Sequence, residues 1–153
     1  LDTHFEGFES LGARFEYLSE ESFYKVYGEN MRGCHMHLDE ASVTGTANIL
    51  MAAVLTEGKT EIYNAACEPY LQQLCRMLNS MGAKISGVGS NKLIIEGVSS
   101  LGGCTHRCLP DMIEIGSFIG MAALTNSDIR LKNCRIDQLG IIPRTFERLG
   151  VNM

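Results

Sequence analysis

The chain has 153 residues, 45% of them hydrophobic, and a formal net charge of −5 from 13 Lys and Arg against 18 Asp and Glu. That length fills the core of one ordinary domain, or of one domain and a piece of another. The cations are scattered and form no runs, which argues against a nucleic-acid partner, and the longest apolar stretches, such as Ile49 to Leu55, fall far short of the roughly 20 residues that cross a bilayer.

Leu1-Asp2-Thr3-His4 has no basic region and no apolar segment behind it, so it does not read as a signal peptide, and the missing initiator Met suggests an internal piece of a longer protein. Segments then follow in order. A stretch with helical apolar spacing ends at Leu11-Gly12-Ala13. Arg14 to Tyr17 and Phe23 to Tyr27 flank Ser19-Glu20-Glu21 as a hairpin. A strand is expected at Cys34 to Leu38, a helix from about Val43 to Leu55 and a strand at Thr60 to Asn64. In Tyr70 to Met81 the apolar residues Leu71, Leu74, Cys75, Leu78 and Met81 line one helix face, with Pro69 in the first turn and Gly82 at the stop. Lys84 to Ser86 and Lys92 to Glu96 form a second hairpin through Gly87-Val88-Gly89-Ser90-Asn91; no helix follows this Gly-x-Gly, so it is a turn and not a phosphate loop.

The pattern then begins again: strand Cys104 to Leu109, helix Ile113 to Leu124, strand Asp128 to Lys132, helix Ile141 to Leu149. Leu11-Gly12-Ala13, Met81-Gly82-Ala83 and Leu149-Gly150-Val151 recur at about 70 residues, as do Met51-Ala52-Ala53 and Met121-Ala122-Ala123. The first helix of each copy is apolar almost all round and is expected to be interior. Repeated α/β units with helices inside and sheets outside satisfy that requirement.

The six cysteines, at 34, 67, 75, 104, 108 and 134, contain no Cys-x-x-Cys pair and read as reduced, buried thiols. His35 and His37 would share one strand face, but two ligands without a third and fourth do not make a metal site, so none is expected.

Several ordered blocks resemble the UDP-N-acetylglucosamine enolpyruvyl transferases: Asp2-Thr3-His4-Phe5-x-Gly7-Phe8-x-x-Leu11-Gly12-Ala13, Ala41-Ser42-Val43-Thr44-Gly45-Thr46, Asn64-Ala65-Ala66-Cys67-Glu68-Pro69, Met81-Gly82-Ala83-Lys84-Ile85, and Leu109-Pro110-Asp111-x-Ile113-Glu114-x-Gly116-Ser117-Phe118. Each is weak alone; together, in family order across nearly the whole chain, they are specific. The resemblance implies an α/β fold of repeated βαβαββ units, an inside-out α/β barrel, incomplete in this chain. By that analogy residues 1–109 are the latter part of one domain and 110–153 the start of the return into the second, with substrates bound between the two.

The implied reaction transfers enolpyruvate from phosphoenolpyruvate to the 3-hydroxyl of UDP-N-acetylglucosamine, the first committed step of peptidoglycan synthesis, in the cytoplasm, with no cofactor and no metal. It needs a base for the sugar hydroxyl, an acid for the methylene carbon and donors for the phosphates. Asp111 matches the aspartate of the Leu-Pro-Asp block, implied to be that base; its spacing to Glu114 is equally that of a capping box opening the next helix. Ser42 is a natural N-cap ahead of an anion-attracting helix start, and the resemblance implies that Glu40, Ala41, Ser42 and Val43 contact the nucleotide, as do Leu1, Asp2 and Thr3. Asp2 is also a candidate helix N-cap. Glu68 matches a glutamate of the cleft, and beside Pro69 it also suits a helix start.

Three positions depart from the pattern: Glu40 stands where many members carry lysine, Tyr70 where many carry glutamate, and Met112 where many carry arginine. The first argues against a charged contact from position 40 and leaves a backbone one. Gly102-Gly103-Cys104-Thr105 resembles the family's reactive-cysteine loop but falls at the wrong place in the order, so Cys104 is expected to be structural. Two other readings stay open: the shikimate 3-phosphate enolpyruvyl transferase of the same fold, and a non-catalytic repeat module that binds a nucleotide sugar or a protein. The oligomeric state is open as well, and an unfinished second barrel would expose the Ile113 to Leu124 helix.

Overall fold

A computed structural model describes residues 1–153, which divide into two compact units, Leu1–His106 and Arg107–Met153. In the first, helix α1 (Asp2–Ser10) leads into the hairpin β1 (Arg14–Leu18) and β2 (Phe23–Tyr27). Then come β3 (His35–His37), α2 (Val43–Ala53), β4 (Lys59–Tyr63), α3 (Pro69–Ser80), β5 (Lys84–Ser86) and β6 (Lys92–Glu96). These are the elements the spacing predicts, to within two or three residues at their ends.

The main sheet has the order β3-β4-β6-β5, with β3 and β4 parallel and the other pairs antiparallel. Alternation decides what each face does. Met36, Thr60, Ile62, Ile85, Leu93 and Ile95 turn inward and are buried, while His35, His37, Lys59, Glu61, Tyr63 and Lys92 share the opposite, more accessible face. Onto the inner face pack Ile49, Leu50, Ala53 and Val54 of α2 and its end, and Cys75 and Leu78 of α3, in one continuous apolar cluster. The helices line one side of the sheet and the other is left uncovered, the layering that the apolar helices require.

Gly12 and Gly82 close α1 and α3 with φ of 98° and 104°, and Gly150 follows the last helix with φ 81°. Glycine adopts this left-handed conformation without a Cβ penalty, which is why the Leu/Met-Gly motif recurs at helix ends. Gly7 serves a different need: a Cβ there would overlap the Ile49 side chain, so α1 approaches α2 only through glycine.

The second unit holds α4 (Met112–Thr125), a 3-10 turn at Ile136–Gln138 and α5 (Ile142–Arg148). α4 and α5 meet where Gly116 faces Ile142 and Gly120 faces Phe146. The strands expected at Cys104 to Leu109 and Asp128 to Lys132 are absent; neither segment pairs with another. A β-strand is defined by a ladder, and in the first unit β4 pairs with β3 on one side and with β6 of the following hairpin on the other. The second copy has no hairpin within 153 residues. For the same reason α4 is not interior here but exposed, as expected of an unfinished second barrel: Ile115 is its one buried residue, and Leu124 is 90% exposed.

Of the six cysteines, Cys75 alone is buried; Cys67, Cys104 and Cys108 are exposed and Cys34 and Cys134 half-buried. Buried thiols are therefore not the general rule here, and Cys104, expected to be structural, is exposed and lies outside any helix or strand. Burial pushes the Cys75 thiol up to about 11 and that of Cys34 upward. No helix is long and apolar enough to cross a membrane.

Candidate functional site

Strand β3 runs into the 38–42 loop and α2, and β4 runs into the 64–68 loop and α3, so both loops leave the same, C-terminal end of a parallel pair. Ligand sites in α/β sheets form at that end, where helix N-termini present backbone N–H groups. Helix α1 adds a third N-terminus, running parallel to α2: Thr3 meets Gly45, His4 lies beside Thr44 and Asn48, and Gly7 lies against Ile49.

The segment Leu1–Thr3 and the segment Glu40–Val43 are thereby brought together. The buried Thr3 hydroxyl donates to Glu40 Oε1 at 2.7 Å. Ser42 is the N-cap of α2, with φ −74° and ψ 124°, and its hydroxyl accepts the Gly45 N–H at 3.1 Å. One of the four N–H groups orphaned at a helix start is satisfied in this way, and the helix end keeps its attraction for an anion. The Ser42 N–H donates to the Glu40 carbonyl at 2.8 Å, fixing the turn through Ala41. Glu40 and Ala41 are exposed and Val43 half-buried.

Glu40 was the departure that removed an expected cation. Its carboxylate instead holds Thr3, a pairing across 37 residues that no local pattern announces. His4 was also missed: Asn48 Nδ2 donates to its Nδ1 at 2.9 Å, and its Nε2 lies 3.3 Å from Thr44 Oγ1, an arrangement that suits the Nε2-protonated tautomer. Asp2 is not the N-cap of α1. Leu1 holds that position, with no side-chain cap, and the exposed Asp2 is the first helical residue, where its charge still complements the helix dipole.

The 64–68 loop is tied to the same corner. Asn64, at φ 56°, donates from Nδ2 to the Leu38 carbonyl at 2.9 Å, and the Ala66 N–H donates to Thr46 Oγ1 at 3.1 Å. Thr46 is fully buried on the apolar face of α2 that also carries Ile49, Leu50 and Ala53. A lone hydroxyl at that helical spacing was the one sequence signal of this tie. Glu68 is the N-cap of α3, in extended conformation, and makes no side-chain cap hydrogen bond. Its Oε2 is buried without a protein partner. A carboxylate oxygen in that state is costly unless a donor reaches it, so it is the natural acceptor of this corner.

In the second unit Asp111 is the N-cap of α4, its Oδ1 accepting from the N–H groups of Ile113 at 2.8 Å and Glu114 at 3.3 Å. It borders a cavity of about 220 Å³ that Glu114, Phe118 and Lys132 also line. The N-cap half of the capping box expected from the Asp111 to Glu114 spacing is therefore present. On the accessible face of the sheet, His35 and His37 both lie against the Tyr63 ring, at 4.8 and 6.3 Å between centroids. Lys92 sits 4.5 Å over the same ring, and the Glu61 carboxylate accepts from both Lys59 and Lys92, which holds it down at about 2.

The chain is 64% identical over its whole length to the UDP-N-acetylglucosamine 1-carboxyvinyltransferase of Bacteroides fragilis and 63% identical to that of Bacteroides thetaiotaomicron, and it spans 35% of the length of each. Among solved structures, an EPSP synthase from Acinetobacter baumannii covers 97% of the chain at TM-score 0.67 and 21% identity, with 34% of that chain matched. The enolpyruvyl transferase NikO from Streptomyces tendae covers 77% at TM-score 0.66 and 19% identity, with 30% of that chain matched. These two likenesses show the fold: repeated α/β units of the enolpyruvyl transferase kind, with no barrel closed within these residues. The family model for EPSP synthase (3-phosphoshikimate 1-carboxyvinyltransferase) matches residues 1–153 from end to end, and the chain belongs to that family.

Proposed function

We propose that the protein to which this chain belongs transfers the enolpyruvyl group of phosphoenolpyruvate to the 3-hydroxyl of UDP-N-acetylglucosamine, releasing phosphate, as the committed step of peptidoglycan synthesis in the cytoplasm. The observation that carries this reading is the 64% identity, over every residue of the chain, to a protein named for that reaction. The corner formed by α1 and α2 supports it, because residues 1–3 and 40–43 meet there and a helix N-terminus stands ready for a nucleotide phosphate.

In this reading Leu1, Asp2 and Thr3 line the uridine side, while Ala41, Ser42 and Val43 offer backbone N–H groups and a hydroxyl to the diphosphate. Glu40 does not touch the phosphates, which its charge would repel; it orients Thr3. Glu68 accepts a donor from the substrate at its buried Oε2. Asp111 takes the proton of the sugar 3-hydroxyl, and the two N–H groups on its Oδ1 fix the carboxylate for that transfer. The domain assignment, 1–109 and 110–153, belongs to this reading too. No metal or cofactor enters it.

The full-length protein, given phosphoenolpyruvate with UDP-N-acetylglucosamine or with shikimate 3-phosphate, decides the substrate. Phosphate release with the nucleotide sugar alone is expected. Release with shikimate 3-phosphate alone selects the second reading, which the family model's own description favours, and release with neither overturns both in favour of a binding module.

A further inference from the structure

We propose that Cys108 and Cys134 form a peroxide-responsive dithiol that closes to a disulfide. Cys108 and Cys134 both line one cavity of about 560 Å³ in the second unit, and Arg107, Lys132 and Arg135 line it with them. Arg135 is held by Asp137 through Nε at 3.0 Å and Nη2 at 2.6 Å, and with Arg107 and Lys132 it gives this cavity a cationic lining that includes no carboxylate. Anionic sulfur species are held in such surroundings.

The other cysteines differ in ways that matter to the chemistry. Cys75 is buried, with its thiol pushed up to about 11, and burial raises that of Cys34 also. Cys108 is exposed and Cys134 half-buried, so one sulfur meets the oxidant and the other stands behind it. Both lie in backbone outside any helix or ladder, free of the regular hydrogen bonds that would resist the short Cβ–Cβ approach a disulfide demands.

The chemistry is a two-electron oxidation in two steps. The Cys108 sulfur attacks one oxygen of a peroxide, the O–O bond breaks, water leaves after proton transfer, and a sulfenic acid remains. The Cys134 sulfur then attacks that sulfur, the S–O bond breaks and a second water departs. Two thiols and one hydrogen peroxide become one disulfide and two waters. The bond encloses α4 in a covalent loop, linking the segment before it to the segment after it. It also immobilises the stretch that carries Asp111; that consequence rests on the catalytic role proposed above, whereas the disulfide itself does not.

The test reads the bond and not the activity. The native chain is treated with hydrogen peroxide, its remaining thiols are alkylated, and tryptic peptides are analysed by mass spectrometry. Cleavage after Arg107, Arg130, Lys132 and Arg135 places the two cysteines on different peptides. The expected result is a Cys108–Cys134 cross-linked pair, two hydrogens lighter than its parts and released by dithiothreitol. In Cys134→Ser the cross-link is lost, and Cys108 accumulates as a sulfenic acid trapped by dimedone. Three results overturn the proposal: dimedone adducts on Cys108 of the unaltered chain with no cross-link, a cross-link to Cys104 in place of Cys134, or a cross-link seen only after unfolding in urea.

Discussion

Helices α2 and α4 are one helix written twice, and they meet opposite fates. Each carries Met-Ala-Ala at the same point of the repeat, and each is apolar around most of its circumference. Val54, just past the end of α2, is 1% exposed, and Leu124, its counterpart by the Met-Ala-Ala alignment, is 90% exposed. The difference is in the sheet. β3 and β4 have β6 and β5 to complete a wall against which α2 packs, while the corresponding segments around α4 pair with nothing. An apolar helix thus states that it must be buried, and the strands state where. Burial comes only when both halves of that instruction are present.

The strongest way to break this contrast is chemical, because the second copy holds the residue proposed to do chemistry. Asp111→Asn keeps an N-cap acceptor and removes the base, so turnover of the full-length protein should fall by about 10²–10⁴-fold with the fold intact. Steady-state kinetics beside circular dichroism checks both halves, and normal turnover removes Asp111 from the mechanism. Next comes packing: Val54→Ala should cost about 1–3 kcal/mol, while Leu124→Ala in the same chain should stay within about 0.5 kcal/mol. Urea denaturation of the two variants is the measurement. Repeating it in the full-length protein sharpens the contrast, since a cost at Leu124 that appears only there identifies missing sequence as its cover.

A smaller effect is expected at the α1–α2 corner. Thr3→Val removes the donor to Glu40 without changing the side chain's shape, and should weaken UDP-N-acetylglucosamine binding by about 10-fold, read by calorimetry. An unchanged affinity leaves the Thr3–Glu40 pair a purely structural one. The smallest concerns acid. Glu61 is held at about 2 by Lys59 and Lys92, below its ordinary value, so its contribution to stability is present above about pH 4.5 and is lost as pH falls toward 2. Glu61→Gln should therefore flatten the loss of stability in that window and leave neutral pH little changed, because the carboxylate is accessible and its ion pairs screened.

Much of the fold was legible in the residues. Pro69 before Leu71, Leu74, Cys75 and Leu78, with Gly82 after, marks α3 nearly to its ends, because a fixed φ, an apolar stripe and a left-handed glycine are local requirements. The hairpin at 84–96 is equally local. The expected strand at Asp128 to Lys132 was wrong because a strand's existence depends on neighbours that the segment does not contain. The Ser42 and Asp111 caps could be read from their spacing. The Thr3–Glu40 and Ala66–Thr46 hydrogen bonds could not, since each joins residues that become neighbours only after the sheet and helices have set.

The Ala66–Thr46 bond makes the molecule report on itself. The Ala66 amide hydrogen is held by a hydroxyl on a different element and not by a ladder, so it can exchange with solvent only when α2 and the 64–68 loop separate. Its exchange rate is a clock for the opening of that corner. A ligand that closes on Ser42 and Glu68 together should slow that clock before it alters any other amide in the sheet.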